Sequence, residues 1–213
     1  ESEPNDAVGT ADPLSCGKEG TVAVEDTDYY TLGAPGAGWR HFAMIDGIAS
    51  SSADTQMRIT DATDVWEFDD DDGDTAFGRL GLVSVIGGGV LPAGATYLKV
   101  DGFGGLAEVE PYRLYSVLQP PIAEASSEVE PNDTTAAASS GVTNYFTGTV
   151  SSGTDIDVYE FSASAGDLIF LGMDCDADRD GSAEDGELEL LDTDGTTVLI
   201  SVDGSGTAQA PTP

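Results

Sequence analysis

Two short runs hold the densest chemistry in this chain. Glu1-Ser2-Glu3-Pro4-Asn5-Asp6 places four carboxylate or carboxamide side chains beside a stiffening proline, and Glu128-Val129-Glu130-Pro131-Asn132-Asp133 repeats the arrangement. Each run is followed by an Asp-x-Asp pair, Asp26/Asp28 in the first case and Asp155/Asp157 in the second. Residues two apart on a strand share a face, so each pair puts two carboxylates on one side at the head of a strand. Calcium takes about six to eight hard oxygen ligands in flexible geometry, and such a run supplies several at once. Brought beside it, the Asp pair would complete a cation site. The competing reading is a solvated acidic turn with an Asx cap. Recurrence of both clusters in the same order favours the cation.

A further candidate occurs once. Asp176-Ala-Asp178-Arg-Asp180-Gly181-Ser182-Ala-Glu184-Asp185-Gly186-Glu187 satisfies the D-x-D-x-D-G-x5-E loop pattern in full. Asp176, Asp178 and Asp180 would give carboxylates, Gly181 the sharp turn and Ser182 its carbonyl. Glu184 lies within the run and Glu187 would close it bidentately. The flanks, Leu168–Met173 and Leu188–Leu191, read as strands, so this is the loop of an EF-hand without its helices. At the corresponding place the first part of the chain has only Asp46 and Asp54, and no calcium is expected there. The run Asp69–Asp74 is either another cation site or a solvated hairpin turn, and the turn is preferred.

Catalysis finds little support. The single histidine, His41, lies between Arg40 and Phe42 on an expected strand, where such residues are mostly structural or at the surface. Paired carboxylates suit a glycosidase, but that chemistry needs an aromatic-lined cleft, and Trp39 and Trp66 are the only tryptophans. Gly87-Gly88-Gly89 lacks the lysine and helix of a phosphate loop. No enzyme is expected. Asn132-Asp133-Thr134 is a glycosylation sequon, although Asn132 is expected to serve the cation instead.

Charge narrows the partners. The 213 residues include 40 Asp+Glu against 7 Lys+Arg, a formal net charge of -33. A chain this acidic is repelled by nucleic acid backbones and anionic lipid. Its longest apolar stretches, such as Gly81–Val90, are too short and too Gly-broken to span a bilayer. No charged n-region and apolar h-region open the sequence, and Glu1 reads as the start of a mature or trimmed protein. Crowding like charges costs stability, which high salt or bound divalent cations would offset. Cys16 and Cys175 either bridge or sit as two isolated small core residues.

The elements that must position these residues also come in two copies. Gly20-Thr21-Val22 before Asp26-x-Asp28-Tyr29-Tyr30 recurs as Gly148-Thr149-Val150 before Asp155-x-Asp157-Val158-Tyr159. Asp54-Thr-Gln-Met57-Arg-Ile59-Thr-Asp61 recurs as Asp185-Gly-Glu-Leu188-Glu-Leu190-Leu-Asp192. The offset grows from 127 (Glu1 to Glu128) to 131 (Asp54 to Asp185), as short loop insertions in a tandem duplication would produce. Gln119-Pro120-Pro121 followed by small polar residues reads as a linker. The expected domains are 1–119 and 127–213, joined by 120–126.

Within each repeat the period is two. Asp28–Leu32, Gln56–Thr60, Tyr97–Val100 and Tyr112–Val117 read as strands. Turns are signalled by Ala34-Pro35-Gly36, Asp72-Gly73, Pro92-Ala93-Gly94, Asp194-Gly195 and Asp203-Gly204. The expected fold is all-β, two tandem β-sandwich (jelly-roll-like) domains. The second copy has nothing matching residues 79–118, which read as three strands. Either the sequence given is a shortened piece, or a neighbouring molecule supplies strands.

Taken together, these blocks resemble the bacterial pre-peptidase C-terminal domain, a β-sandwich module appended to secreted proteases and collagenases. The resemblance rests on Glu-Pro-Asn-Asp, on Gly-x-Val before Asp-x-Asp-x-Tyr, and on the turn Ala163-Ser-Ala165-Gly166. It rests also on Asp-x-x-Leu-x-Leu-x-Asp and on Leu91-Pro-Ala-Gly94-Ala-Thr-Tyr97-Leu-Lys-Val100. It covers nearly all of the first repeat and about two-thirds of a domain in the second. It implies a secreted, calcium-binding, non-catalytic module. By that similarity the ligand roles fall on Glu1, Glu3, Asn5, Asp6 and Asp28, and on Glu128, Glu130, Asn132, Asp133 and Asp157. Collagen binding is not carried over, since no matching aromatic motif occurs, and no peptidase domain accompanies the repeats in this sequence. The expected function is a calcium-stabilised extracellular scaffold for structure or adhesion. Its partners would be calcium and copies of itself or an extracellular matrix or surface polymer. The alternatives are a filament or surface-layer subunit assembled by strand exchange and, behind it, an accessory region of a secreted hydrolase.

Overall fold

A computed structural model describes residues 1–46, 54–61, 63–70, 82–105, 108–122, 125–173 and 186–203. These residues are all-β in character, with two 3-10 turns at Phe103–Gly105 and Thr135–Ala137. The chain separates into two compact units. One holds Glu1–Pro120 with Phe170–Glu189 and Ile200–Pro213, and the other holds Pro121–Ile169 with Leu190–Leu199.

The first unit contains β1 (Asp12–Pro13), β2 (Lys18–Val22), β3 (Thr27–Gly33), β4 (Arg40–Asp46) and β5 (Thr55–Thr60). It continues with β6 (Val65–Asp69), β7 (Val85–Val90), β8 (Thr96–Gly102) and β9 (Val109–Gln119). They form a five-stranded sheet in the order β1-β3-β8-β5-β6 and a four-stranded sheet in the order β2-β9-β4-β7. All ladders are antiparallel except β1–β3. Alternation sets which residues turn inward: Asp28, Tyr30 and Leu32 from β3, His41, Ala43 and Ile45 from β4, Leu98 and Val100 from β8. Inward residues of both sheets join one apolar cluster, which makes the unit a sandwich. In β9 the alternation slips between Val109 and Tyr112, at a bulge opposite Gly20–Val22 that accommodates Pro111. The slip is what points the Tyr112 hydroxyl inward at the level of Asp28.

The strands expected at 28–32, 56–60, 97–100 and 112–117 lie within β3, β5, β8 and β9, and the one expected at His41 is β4. The expected strand at 168–173 does not form, although Leu188–Leu191 lies in a ribbon of β14 (Glu187–Leu191) and β15 (Val198–Asp203). The reason is visible in its counterpart β4, which is held between β7 and β9. No described residue plays either part for 168–173. The remaining strands, β10 (Ser126–Ser127), β11 (Ser139–Ser140), β12 (Phe146–Thr147) and β13 (Tyr159–Glu160), form two short parallel pairs, β10–β12 and β11–β13.

Cys16 is exposed and unbridged rather than a core residue, and Cys175 lies outside the described residues. Asp69 ends β6, and its carboxylate accepts from the Val85 amide, while Asp71–Asp74 lie outside the described residues. Four ion pairs occur among the described residues: Lys18–Asp12, Arg58–Asp101, Lys99–Asp101 and Arg113–Glu19. Pairs of this kind contribute roughly 0–1 kcal/mol each, too little to offset the repulsion of the remaining carboxylates.

His41 is a core residue. It is fully buried, and its Nε2 lies 2.8 Å from Ser116 Oγ. Burial pulls its pKa down to about 4. The unfolded chain takes up this proton near pH 6.5 and the folded chain does not, so stability is full above that pH and falls toward pH 4. The expected contribution is about 3 kcal/mol across that window. Denaturant unfolding of His41→Gln should have a flatter acid limb than the parent between pH 4.5 and 7. Parallel limbs would refute the assignment.

Candidate metal centres

In the first unit, Glu1, Glu3 and Asp28 each bring a carboxylate oxygen within 4.8 Å of the others. Two ligands on one calcium at about 2.4 Å lie no farther apart than about 4.8 Å, so the spread suits a shared ion. Each group is held by the fold. Glu1 Oε1 accepts from the Thr21 amide at 2.6 Å, and Oε2 accepts from the Tyr30 hydroxyl at 2.8 Å. Glu3 Oε2 accepts from the Asn5 amide at 3.2 Å. Asp28 is fully buried on β3 and accepts from the Tyr112 hydroxyl, which is itself hydrogen-bonded to Tyr30. Asn5 is also fully buried, and its carbonyl accepts from the Tyr29 amide at 3.0 Å, which docks the acidic run against β3.

Several buried oxygens here have no partner. Asn5 Oδ1 and Asp28 Oδ1 are orphaned, as is Asn5 Nδ2. Leaving such groups unsatisfied costs roughly 1–3 kcal/mol each, which a bound cation would relieve at the oxygens. Burial pushes the Asp28 carboxyl up to about 8, with Glu1 and Asp26 adding repulsion against the Tyr112 hydrogen bond. Glu3 is also raised, first by desolvation and then by Asp26, Glu1 and Asp6. A second trio, Glu3, Asp6 and Asp26, adjoins the first through Glu3. There Asp6 is raised, chiefly through its hydrogen bond with Asp26.

The second unit rebuilds the first centre atom for atom in several places. Glu128, Glu130 and Asp157 form a trio with the same 4.8 Å limit. Glu128 Oε1 accepts from the Thr149 amide at 2.6 Å and Oε2 from the Tyr159 hydroxyl at 3.0 Å. Glu130 Oε2 accepts from the Asn132 amide at 2.9 Å, and the Asn132 carbonyl accepts from the Val158 amide at 3.1 Å. The Glu128 nitrogen donates to the Thr147 carbonyl at 3.0 Å, as the Glu1 nitrogen does to Glu19 at 3.0 Å. Asn132 is fully buried, with Nδ2 bonded to Ser139 Oγ at 3.2 Å, so it is not presented as a glycosylation acceptor. Asn132 Oδ1 and Asp157 Oδ1 are orphaned, matching the first unit. Burial pushes Asp157 up to about 6, with Glu128 adding to the rise.

Differences follow from the surroundings. Asp155 is lowered, chiefly by its hydrogen bonds from Ser151 and also by one with Asp133, whereas in the first unit it is Asp6 that is raised by its hydrogen bond with Asp26. Asp133 accepts from the Ile156 amide at 3.4 Å, and no described trio includes Asp133 or Asp155. Of the loop candidate, Asp176, Asp178, Asp180, Ser182 and Glu184 lie outside the described residues. Glu187 lies on β14, with Oε1 accepting from the Ser201 hydroxyl at 2.6 Å.

The ligand count from sequence omits what shapes the centres. Tyr30, Tyr112 and Tyr159 hold the carboxylates, and Gly20 and Gly148 leave room for them. A Cβ on Gly20 would lie 2.2 Å from Glu1 Oε2, and one on Gly148 would lie 2.3 Å from Glu128 Oε2. The signal for the glycines is present in the sequence, since Gly-Thr-Val recurs with the acidic run, but the reason is not. Tyr112 has no local signal; it arrives from β9, 84 residues from Asp28. Replacing Tyr112 by Phe should leave Asp28 without its donor at a cost of about 1–3 kcal/mol. Urea unfolding of the calcium-free protein checks this, and an unchanged midpoint would refute it.

No protein-family model matches the sequence, and no curated protein matches it. Among solved structures, the chain is similar to PliG, a periplasmic inhibitor of g-type lysozyme from Aeromonas hydrophila. The TM-score is 0.34 and the identity 21%, over 48% of this chain and 84% of the inhibitor. It is also similar to the pre-peptidase C-terminal domain of a collagenase from Bacillus anthracis, with TM-score 0.37 and 14% identity, over 50% of this chain and 92% of that domain.

Proposed function

We propose that this protein is a non-catalytic, extracellular β-sandwich scaffold of tandem repeats at 1–119 and 127–213, stabilised by calcium and serving structure or adhesion. One observation carries the reading. The same buried constellation, with an orphaned asparagine oxygen and an orphaned aspartate oxygen beside two glutamates, is built twice from separate stretches of chain. A solvated acidic turn needs no buried asparagine oxygen and no tyrosine clamp; a cation site uses both. Glu1, Glu3, Asn5 and Asp28 would hold one ion, and Glu128, Glu130, Asn132 and Asp157 another. Asp6 and Asp26 would add to the first centre. Similarity to the pre-peptidase C-terminal module, through the motifs above, points the same way.

Calcium would neutralise carboxylates in a chain of net charge -33 and tie the acidic run and linker to the sheet. Extracellular modules commonly bind calcium with dissociation constants of about 0.1–1 mM, so a low-calcium compartment would loosen them. Titration calorimetry with calcium on chelator-treated protein should give saturable heat that Glu3→Gln diminishes. No heat in the parent would overturn the reading.

A further inference from the structure

We propose that Ser139 is a positioning residue of the second centre. Its hydroxyl anchors the acidic run at two points and turns the Asn132 carboxamide so that the oxygen, not the amine, faces the cation. The inference rests on the calcium reading and adds a residue from outside the acidic runs and Asp pairs. Ser139 opens β11, buried, opposite Tyr159 of β13. Its own amide donates to the Val158 carbonyl at 2.7 Å, which fixes the backbone there. Ser139 Oγ accepts from the Val129 amide at 3.1 Å and from Asn132 Nδ2 at 3.2 Å. Val129 stands between Glu128 and Glu130, so the first bond holds both glutamates in place. The second acts on the asparagine directly.

A carboxamide has two ends of similar size and opposite chemistry, one an acceptor and the other a donor of two protons. Only the oxygen binds a cation, so an asparagine free to flip presents the wrong end part of the time. With Nδ2 committed to Ser139, Asn132 Oδ1 is the end left over, and it is buried without a partner. Outer groups that fix a ligand's orientation in this way are a recurrent part of metal sites. The first repeat separates the two roles. Asp12 lies 127 residues before Ser139, the offset that relates Glu1 to Glu128, and it opens β1 opposite Tyr30 in the matching register. It too is buried, and its Oδ2 accepts from the Ser2 amide at 2.8 Å, as Ser139 does from Val129. The same oxygen accepts from Lys18 at 3.3 Å, whereas Asn5 Nδ2 and Oδ1 are both left unpartnered. Holding the run is thus common to both repeats, and orienting the amide belongs to the serine.

The test uses the whole chain carrying Asp28→Asn, which weakens the first centre so that a calcium titration reads chiefly the second. Adding Ser139→Ala should lower the calcium affinity about 10–100-fold, and Ser139→Thr, which keeps the hydroxyl, should restore most of it. A second readout needs no calcium: exchange of the Asn132 side-chain amide protons, followed by NMR, should quicken in Ser139→Ala and not in Ser139→Thr. A serine that only supports the fold would lower the calcium-free melting midpoint on Ser139→Ala and leave the affinity as it was, and that result overturns the proposal. So does a loss of affinity that Ser139→Thr fails to rescue. No calcium heat in the parent chain would overturn the calcium reading and this inference with it. Calcium heat in the parent that Ser139→Ala leaves unmoved would sink this inference alone.

Discussion

Calcium at about 10 mM is expected to raise the melting midpoint of the chelator-treated protein by about 10 °C. The size follows from linkage: with a dissociation constant of about 0.1 mM this is about 100 times Kd, which adds about 2.7 kcal/mol, and each kcal/mol moves a domain of this size by roughly 4 °C. The gain comes chiefly from the first centre, where Asp28 and Asn5 are fully buried with unpartnered oxygens. Asp28→Asn separates this from ordinary salt screening. The variant keeps a polar group for Tyr112 to meet but removes the charge, so the calcium-free form should melt no lower than the parent and calcium should raise its midpoint far less. Magnesium and concentrated sodium chloride serve as controls. Equal stabilisation by sodium chloride at matched ionic strength would mean that screening of 40 acidic side chains, rather than a built site, is responsible.

Gly20→Ala and Gly148→Ala carry the second large expectation, and they should differ from each other. At Gly148 the new methyl would meet Tyr159 Oη at 2.2 Å and Glu128 Oε2 at 2.3 Å. Both belong to ends of partly exposed side chains that can swing away. Stability should change little, while calcium affinity at the second centre falls about 10–100-fold because Glu128 is displaced. At Gly20 the methyl would meet Glu1 Oε2 at 2.2 Å and the Tyr112 ring at 2.6 Å. Tyr112 is fully buried between strands and cannot move aside. Overpacking there should cost about 1–3 kcal/mol in addition to the affinity loss. Calorimetry paired with thermal melts checks both halves. Unchanged affinity in Gly148→Ala would show that Glu128 is not a ligand.

Legibility differed sharply between residues. Glu1, Glu3, Glu128 and Glu130 were readable because each acidic run is local and repeated. Asp28 and Asp157 followed from a strand period of two, which sends them to the same face as Tyr30 and Tyr159. Asp133 and Asp155 carry the same motif positions, yet the Ile156 and Ser151 amides bond to them and neither joins a described trio. Motif position alone does not report such competition. The strand expected at 168–173 failed for a related reason: apolar β-formers propose a strand, but a neighbour must accept its hydrogen bonds.

By itself the sequence determined the β class, the two acidic runs and the alternation of inward and outward residues. All are local or periodic properties, set by side-chain chemistry within a few residues. Tertiary structure alone decided that Tyr112 reaches Asp28, that Gly20 and Gly148 sit under carboxylates, and that Asn5 and Asn132 are buried with unpaired oxygens. These depend on register between strands far apart in the chain, where a one-residue slip would turn every such group to the other face.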